Sequence, residues 1–361
     1  MRLGIIGLPY VGKTSIFNSL TRGHATVGEF GHEVPENVGV VNVPDPRLDY
    51  LHTLHPKAKK VHGNLEIADF PGLVKGDSTE KSKIGLISRL REVDAFIHVV
   101  RMFDDPTVAH VHGTVDPVRD IEDLRMEFLI GDLEQTENRI YRVEKQMRHG
   151  KTRDAEIEYN LLTRIKADLE NETPVRDIDM TEDENKVIRG FQMLSQKPML
   201  YALNVNEGAS ERDDAAVWSA IEPLVTGPSL AAVGISAKLE NDLAELDADE
   251  AEAFLREMGM EESGTAHLLR VCRELLGIIT FFTIGDDEVR AWHIQAGTEA
   301  KRAAGVIHSD LEKGFIRAEI IHVDVLREVG SLEEAKKRGL IRLEKKDYII
   351  ADGEINHVRF S

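Results

Sequence analysis

One cysteine in 361 residues, Cys272, leaves no partner for an intrachain disulfide and no thiolate cluster for a metal. Its neighbours Leu268, Leu269, Val271, Leu275 and Leu276 recur at helical spacing, so a buried, unreactive thiol is expected. Aromatic residues are scarce, and no apolar run approaches the ~20 residues needed to cross a bilayer. The apolar start of the chain stops at Gly12-Lys13, too short for a signal sequence and without its cleavage pattern. A cytoplasmic protein with no membrane partner is expected. Positive charge is also in short supply. With 45 Lys and Arg against 64 Asp and Glu the net charge is −19, which argues against a surface that tracks nucleic acid throughout, and no DNA partner is expected. The deficit is uneven. Residues 278–361 hold 13 Lys and Arg against 15 Asp and Glu, a net of −2, so −17 falls in the first 277 residues. The near-neutral C-terminal region is the better place to look for a polyanion contact.

What is present is a core. The hydrophobic fraction of 42% is ordinary for a globular protein, and 361 residues imply two or three domains. Apolar runs bounded by turn residues predict strands at 2–7, 38–43, 64–69, 95–101, 199–204 and 232–235. Helical patterns at 13–20, 84–92 and 214–224 lie among them. The alternation predicts an α/β fold, a parallel sheet flanked by helices. From 116 to 171 nothing reads as a strand. Leu129, Leu133, Thr136, Ile140, Val143 and Met147 step by four and three residues, a heptad seam with one polar member. His149-Gly150 interrupts it, and Leu162, Ile165 and Leu169 resume the pattern. This predicts an inserted antiparallel helical hairpin, a coiled coil projecting from the sheet domain; two ordinary bundle helices fit the same spacing. After Gly277 short strands at 278–284, 289–294, 315–322, 348–350 and 357–360, with one helix at 331–338, predict a small α+β domain. The expected division is 1–115 with 195–277, the hairpin 116–194, and 278–361.

The chemistry is concentrated near the start. Gly7-Leu8-Pro9-Tyr10-Val11-Gly12-Lys13-Thr14 matches the phosphate-binding P-loop without a mismatch and sits between a predicted strand and a predicted helix. Its glycines let backbone N–H groups converge on phosphates at a helix N-terminus, where the dipole also favours anions. Pro9, Tyr10, Val11, Gly12, Lys13, Thr14 and Ser15 are the expected binding residues. Lys13 is expected to reach the β- and γ-phosphates and the Thr14 hydroxyl to ligate Mg²⁺. Asp69-Phe70-Pro71-Gly72 follows a strand and supplies a second part: Asp69 to hold the metal and Gly72 to sense the γ-phosphate.

The loop after the predicted strand at 199–203 is where the base would be read. Guanine-binding switch proteins carry N-K-x-D there, whose Asp accepts two hydrogen bonds from guanine. This chain has Asn204-Val205-Asn206-Glu207, without the Lys and with an acid one methylene longer. Adenine has no N1–H or 2-amino donor and loses nothing by the change, so ATP is expected over GTP. Ser236-Ala237-Lys238 is the matching loop that packs on the base. Taken alone, 204–207 also fits a polar strand-end turn.

Together with Asn37-Val38-Gly39-Val40-Val41, Val43-Pro44-Asp45-Pro46-Arg47-Leu48, Gly72-Leu73-Val74-Lys75-Gly76 and Arg91-Glu92-Val93-Asp94-Ala95, these motifs resemble the YchF family of Obg-related, translation-factor-class nucleoside triphosphatases. Val289-Arg290-Ala291-Trp292, Ala304-Gly305-Val306-Ile307-His308 and Gly314-Phe315-Ile316-Arg317-Ala318-Glu319 resemble its closing TGS domain, of β-grasp type. The resemblance implies a G-protein fold, preference for ATP, and association with ribosomes through ribosomal RNA or protein. Lys336-Lys337-Arg338 and Lys345-Lys346 are the basic clusters available for that contact, and a solvated face accounts for such runs equally.

The chain departs from the family in both switches. The family's first switch carries a Mg²⁺-ligating Thr where this chain has Glu33, with Thr26 as a distant substitute; the second, Asp77 to Lys83, is one residue shorter. The residue after D-x-x-G, where Ras-like proteins have a water-orienting Gln, is Leu73, and the resemblance implies an apolar residue there. Slow intrinsic hydrolysis is therefore expected. His110, where the family places a His, is the candidate to orient water. A solvated loop histidine fits as well, and His112 is a rival. Three functions stay open: an ATPase, a GTPase of the same fold with Glu207 in place of Asp, or a nucleotide-binding scaffold with little turnover.

Overall fold

The computed structural model describes residues 1–21, 37–72, 80–150 and 152–361. The first elements are β1 (Arg2–Ile6), α1 (Lys13–Thr21), β2 (Asn37–Val43), α2 (Pro46–Leu54), β3 (Lys59–Val61) and β4 (Gly63–Asp69). Next come α3 (Glu80–Leu90), β5 (Ala95–Arg101), α4 (Pro117–His149), α5 (Arg153–Glu170), α6 (Glu182–Ile188) and β6 (Met199–Asn204). They are followed by α7 (Ala215–Val225), β7 (Leu230–Ile235), α8 (Ala237–Glu245), α9 (Ala248–Glu257) and α10 (Gly264–Leu275). The C-terminal elements are β8 (Ile278–Ile284), β9 (Glu288–Gln295), α11 (Ala300–Ile307), α12 (Ser309–Lys313) and β10 (Phe315–His322). The last are α13 (Val323–Val329), α14 (Leu332–Lys337), β11 (Arg342–Glu344) and β12 (Glu354–Phe360). By their contacts the residues form two compact units, Met1–Gly39 with Glu66–Thr265 and Val40–Leu65 with Ala266–Ser361.

The first sheet has the order β2-β4-β1-β5-β6-β7, and β4, β1, β5, β6 and β7 pair in parallel. β5 and β6 are buried at every residue, which is why they read as unbroken apolar runs. On one face Phe96, Tyr201 and Leu203 pack with Phe128 and Ile221; the Phe96 and Phe128 rings lie 4.9 Å apart. Because the strands are parallel, their carboxyl ends share one edge, where such sheets bind ligands.

The predicted helical hairpin is present as α4 and α5. Asp116 starts α4 by accepting from Arg119 N–H at 3.2 Å, ahead of Pro117, which needs no N–H partner there. The helix ends at Gly150, and Thr152 caps α5. Leu129 of α4 packs with Leu161, Ile165 and Leu169 of α5. Thr136, the polar member of the seam, is satisfied inside its own helix by donating to the Asp132 carbonyl at 2.7 Å. At the root of the hairpin the buried Asp132 carboxylate accepts from Leu194 N–H, Ser195 N–H, Ser195 Oγ and Arg91 at 2.7–3.1 Å.

The second unit holds a sheet of order β11-β10-β12-β8-β9-β3. Its members include residues 40–65, which the sequence pattern alone groups with 1–115. Leu48, Leu51 and Ala58 share a core with Phe282, Val289, Ile321 and Val323, and β3 pairs in parallel with β9. Asp45 caps α2 and binds Arg47, which also reaches Asp352 Oδ2 at 2.5 Å. The strand expected at 348–350 is only a single bridge from Ile349 to Glu299, and the short strand lies instead at β11.

Candidate nucleotide-binding site

The site begins at the turn that ends β1. Gly7, at φ 144°, approaches β5 so closely that a Cβ there would lie 2.5 Å from the Val99 carbonyl oxygen. A Cβ on Gly12, at φ 98°, would lie 2.4 Å from Asn204 Nδ2. Only glycine permits both approaches. The loop feeds α1 through a 3.0 Å bond from Ile16 N–H to the Gly12 carbonyl, leaving a helix N-terminus of the kind that takes phosphate.

Lys13, 8% exposed, bends back to donate from Nζ to the Leu8 carbonyl at 2.6 Å. Burial pulls its pKa down to about 8, with Asp69 acting in the opposite direction. Residue Ile5 of β1 pairs with Asp69 of β4, which sets the carboxylate beside the loop. Asp69 Oδ2 accepts from Thr14 Oγ1 at 3.0 Å; its Oδ1 is buried and has no hydrogen-bond partner among the described residues. Burial pushes the Asp69 pKa up, against hydrogen bonds from Thr14 and Asn37 and the charge of Lys13. A buried carboxylate oxygen without a donor, beside a hydroxyl, suits a hard divalent cation, and Mg²⁺ fits these residues. Gly72 brings the second motif onto the loop: a Cβ there would be 2.8 Å from Pro9 N.

Asn204 joins the two sides of the cleft. Its Nδ2 donates to the Val11 carbonyl at 2.9 Å and its Oδ1 accepts from Ala237 N–H at 3.0 Å. Ser236 caps α8, accepting from Leu239 N–H. Glu207 Oε2 lies 3.2 Å from Lys238 Nζ. A cleft of about 830 Å³ is lined by Tyr10, Gly12, Lys13, Thr14, Ser15, Asn204, Val205, Glu207, Ser236, Ala237 and Lys238 together. Pro9 and Val11 stand behind it in the loop.

His110 does not line this cleft. Its Nε2 lies 2.9 Å from Asp120 Oδ2 and its Nδ1 accepts from His112 N–H, so the ring is engaged at both nitrogens. His112 in turn lies 3.3 Å from Asp123. Thr26, Glu33, Leu73 and residues 77–79 lie outside the described residues.

Sequence reasoning missed one wall. Phe103, Asp104, Asp105 and Val108 also face the cleft. They are held by Arg101, 2% exposed, whose guanidinium donates to the Phe103, Val108 and Asp105 carbonyls at 3.2, 3.0 and 3.1 Å. The available signal was a cation closing an otherwise uncharged strand, Ala95–Arg101.

The family model for the C-terminal domain of YchF-type GTPases, described as a protein of unknown function (DUF933), matches residues 278–361. Over 362 residues the chain is 39% identical to the ribosome-binding ATPase YchF of Bacillus subtilis (strain 168), covering 99% of this chain and 98% of that one. The chain belongs to the YchF family. Obg-like ATPase 1 of Oryza sativa subsp. japonica is 34% identical over 366 residues, covering 100% of this chain and 92% of the rice protein. The solved structure of the Schizosaccharomyces pombe YchF GTPase superposes with a TM-score of 0.84 at 28% identity, covering 99% of this chain and 97% of that one. The YchF family match thus spans the phosphate loop, the helical hairpin and the C-terminal sheet. With it the fold is that of a P-loop nucleoside triphosphatase.

Proposed function

We propose that this protein is a Mg²⁺-dependent ATPase that discriminates against GTP, turns over slowly alone, and acts on ribosomes, as the name of its Bacillus relative indicates for that protein. The setting of Asn204 and Glu207 carries the base preference. Asn204 spends both ends of its amide on the protein, and Glu207 faces Lys238 rather than standing free to accept from guanine. Bound Mg²⁺ would neutralise developing charge on the transferred phosphoryl group. The chain's own part is positional: Thr14 and Asp69 would hold the cation, Lys13 would meet the β- and γ-phosphates, and Gly72, which abuts the loop at Pro9, would stand near the γ-phosphate. A cytoplasmic location and a TGS-like role for residues 278–361 belong to the same reading.

His110 is the proposed water-orienting group. Its ring is held by Asp120 and would have to leave that partner to serve the cleft. His110→Ala is expected to lower ATP turnover by ~10²-fold with ATP affinity kept. Equal loss of affinity and melting temperature would reduce His110 to a structural residue.

The deciding measurement is competition of Mg²⁺–ATP and Mg²⁺–GTP for the purified protein, with hydrolysis of each then assayed. Tighter ATP binding with slow turnover agrees with the proposal. GTP winning would move the function to the activity named for the fission-yeast protein, a GTPase. Tight binding without turnover, and Lys13→Ala without effect in cells, would leave a scaffold.

A further inference from the structure

The second sheet carries a pocket that shares no residue with the nucleotide cleft. It measures about 290 Å³ and opens between α14 and the strands β8, β10 and β12. Ile284, Ile321, Leu332, Ile341 and Ile355 give it an aliphatic lining. The register explains why the strand residues converge. Ile321 stands opposite Ile355, which stands opposite Phe282, and Ile284 lies two residues beyond Phe282 on the same face. Leu332 and Ile341 pack against the core that Ile321 and Ile355 share, and so close over them.

Further along β10 and β12 the same face is charged. Glu319 stands opposite His357, and two residues on, Arg317 stands opposite Arg359. Like charges directly across a pair of strands are unfavourable unless an anion offsets them. Arg359 has Glu319 as its partner; Arg317 has no ion pair among the described residues. The segment bordering the pocket on its other side is basic as well. Residues 336–346 hold six Lys and Arg against one acid, Glu344, in a chain of net charge −19. Arg338 pairs with Glu334 and Arg342 with Glu354. Lys336, Lys337, Lys345 and Lys346 are exposed and carry no ion pair among the described residues. Lys336 lines the pocket itself, one turn along α14 from Glu333 in the same wall.

An aliphatic pocket bordered by free cations suits a ligand that is apolar at one point and anionic at another. From Ile321 to Arg317 is four residues of strand, about 13 Å, a length that four residues of extended peptide also span. An apolar side chain in the pocket would therefore set carboxylates three or four residues away beside Arg317. The planar guanidinium fork matches a carboxylate in shape as well as charge. Nucleic acid fits less well, because a base would find no Phe, Tyr or Trp in this lining to stack on.

We propose that this face binds an acidic peptide segment of a partner protein, with one apolar side chain in the pocket and carboxylates on Arg317. The lysines of 336–346 add attraction from the side. The site stands independently of the nucleotide reading.

The test is fluorescence anisotropy of the full chain with labelled peptides that hold one leucine and a glutamate pair at varied spacing, on either side of it. Binding should be tightest when the pair lies three or four residues from the leucine. Replacing the leucine by serine, or the glutamates by glutamines, should weaken it about tenfold in each case. Arg317→Gln should cost a similar factor with the glutamate peptide and nothing with the glutamine one, at an unchanged melting temperature. No saturable binding of any peptide up to ~1 mM overturns the proposal. Binding that ignores the leucine, or that survives Arg317→Gln intact, overturns it too. So does a single-stranded RNA that displaces the best peptide and loses the same factor in Arg317→Gln, which would make this a nucleic-acid surface. Self-association of the chain that Arg317→Gln abolishes would put a second copy on this face and overturn it likewise.

Discussion

Lys13 carries its charge in a place built to be relieved of it. Burial holds its pKa at about 8, and bound phosphate oxygens would supply a counter-charge and raise it. Nucleotide binding should therefore take up protons above pH 8. The uptake should be larger at pH 8.5 than at pH 7. Calorimetry in buffers of differing ionisation enthalpy measures it, and no uptake at pH 8.5 would refute the buried-ammonium account. The same depressed pKa bears on stability. Between about 8 and 10.5 the unfolded chain keeps this proton and the folded chain has lost it, so Lys13 makes the protein more stable as pH rises through that window. Residues of this kind were legible in the sequence, because a phosphate loop needs glycines and a lysine at fixed offsets. The ring environment of His110 was not, since Asp120 reaches it from the first turn of α4 and no spacing rule links the two.

At the scale of elements, patterns that repeat were readable and contacts made once were not. β5, β6, β8 and β10 lie where the apolar runs put them, and the heptad seam gave the hairpin. β3 escaped: Lys59-Lys60-Val61 is three residues with two exposed cations, and only pairing with β9 makes it a strand. α11 escaped too, an Ala-rich helix whose buried face is Ala300, Ala303 and Ala304. The segment after β5 is the element whose order can be tested. Residues 103–108 have no regular structure, and Arg101 supplies three hydrogen bonds from beneath. Arg101→Ala would leave those carbonyls without their donor at a cost of about 3 kcal/mol. A lowered melting temperature and nucleotide affinity reduced roughly tenfold are expected. If affinity is untouched, the 103–108 wall plays no part in binding.

For the molecule as a whole, the distribution of charge matters more than its sum. The second unit is tied by ions: Arg47 binds Asp45 and Asp352, and Asp352 also accepts from Thr280 N–H at 2.7 Å. Burial alone would raise the Asp352 pKa, but the Arg47 and Thr280 hydrogen bonds hold it below the usual range. A carboxyl so depressed adds stability above its unfolded value, about 3.9, and loses it as pH falls through the folded one. Arg47→Ala should cost about 3 kcal/mol near neutrality, because the buried Asp45 loses its bidentate partner. The gap between wild type and variant should close in acid below pH ~4. A gap independent of pH would mean that Arg47 acts through its packing over the Phe282 ring instead.

Residues 40–65 complete a core whose remaining strands begin at residue 278. During synthesis, Leu48, Leu51 and Ala58 leave the ribosome more than two hundred residues ahead of Phe282 and Val289. At about 5–20 residues per second that is a wait of roughly 10–50 seconds with an apolar surface uncovered. The nascent chain must therefore carry an unfinished domain until the strands from residue 278 onward have emerged.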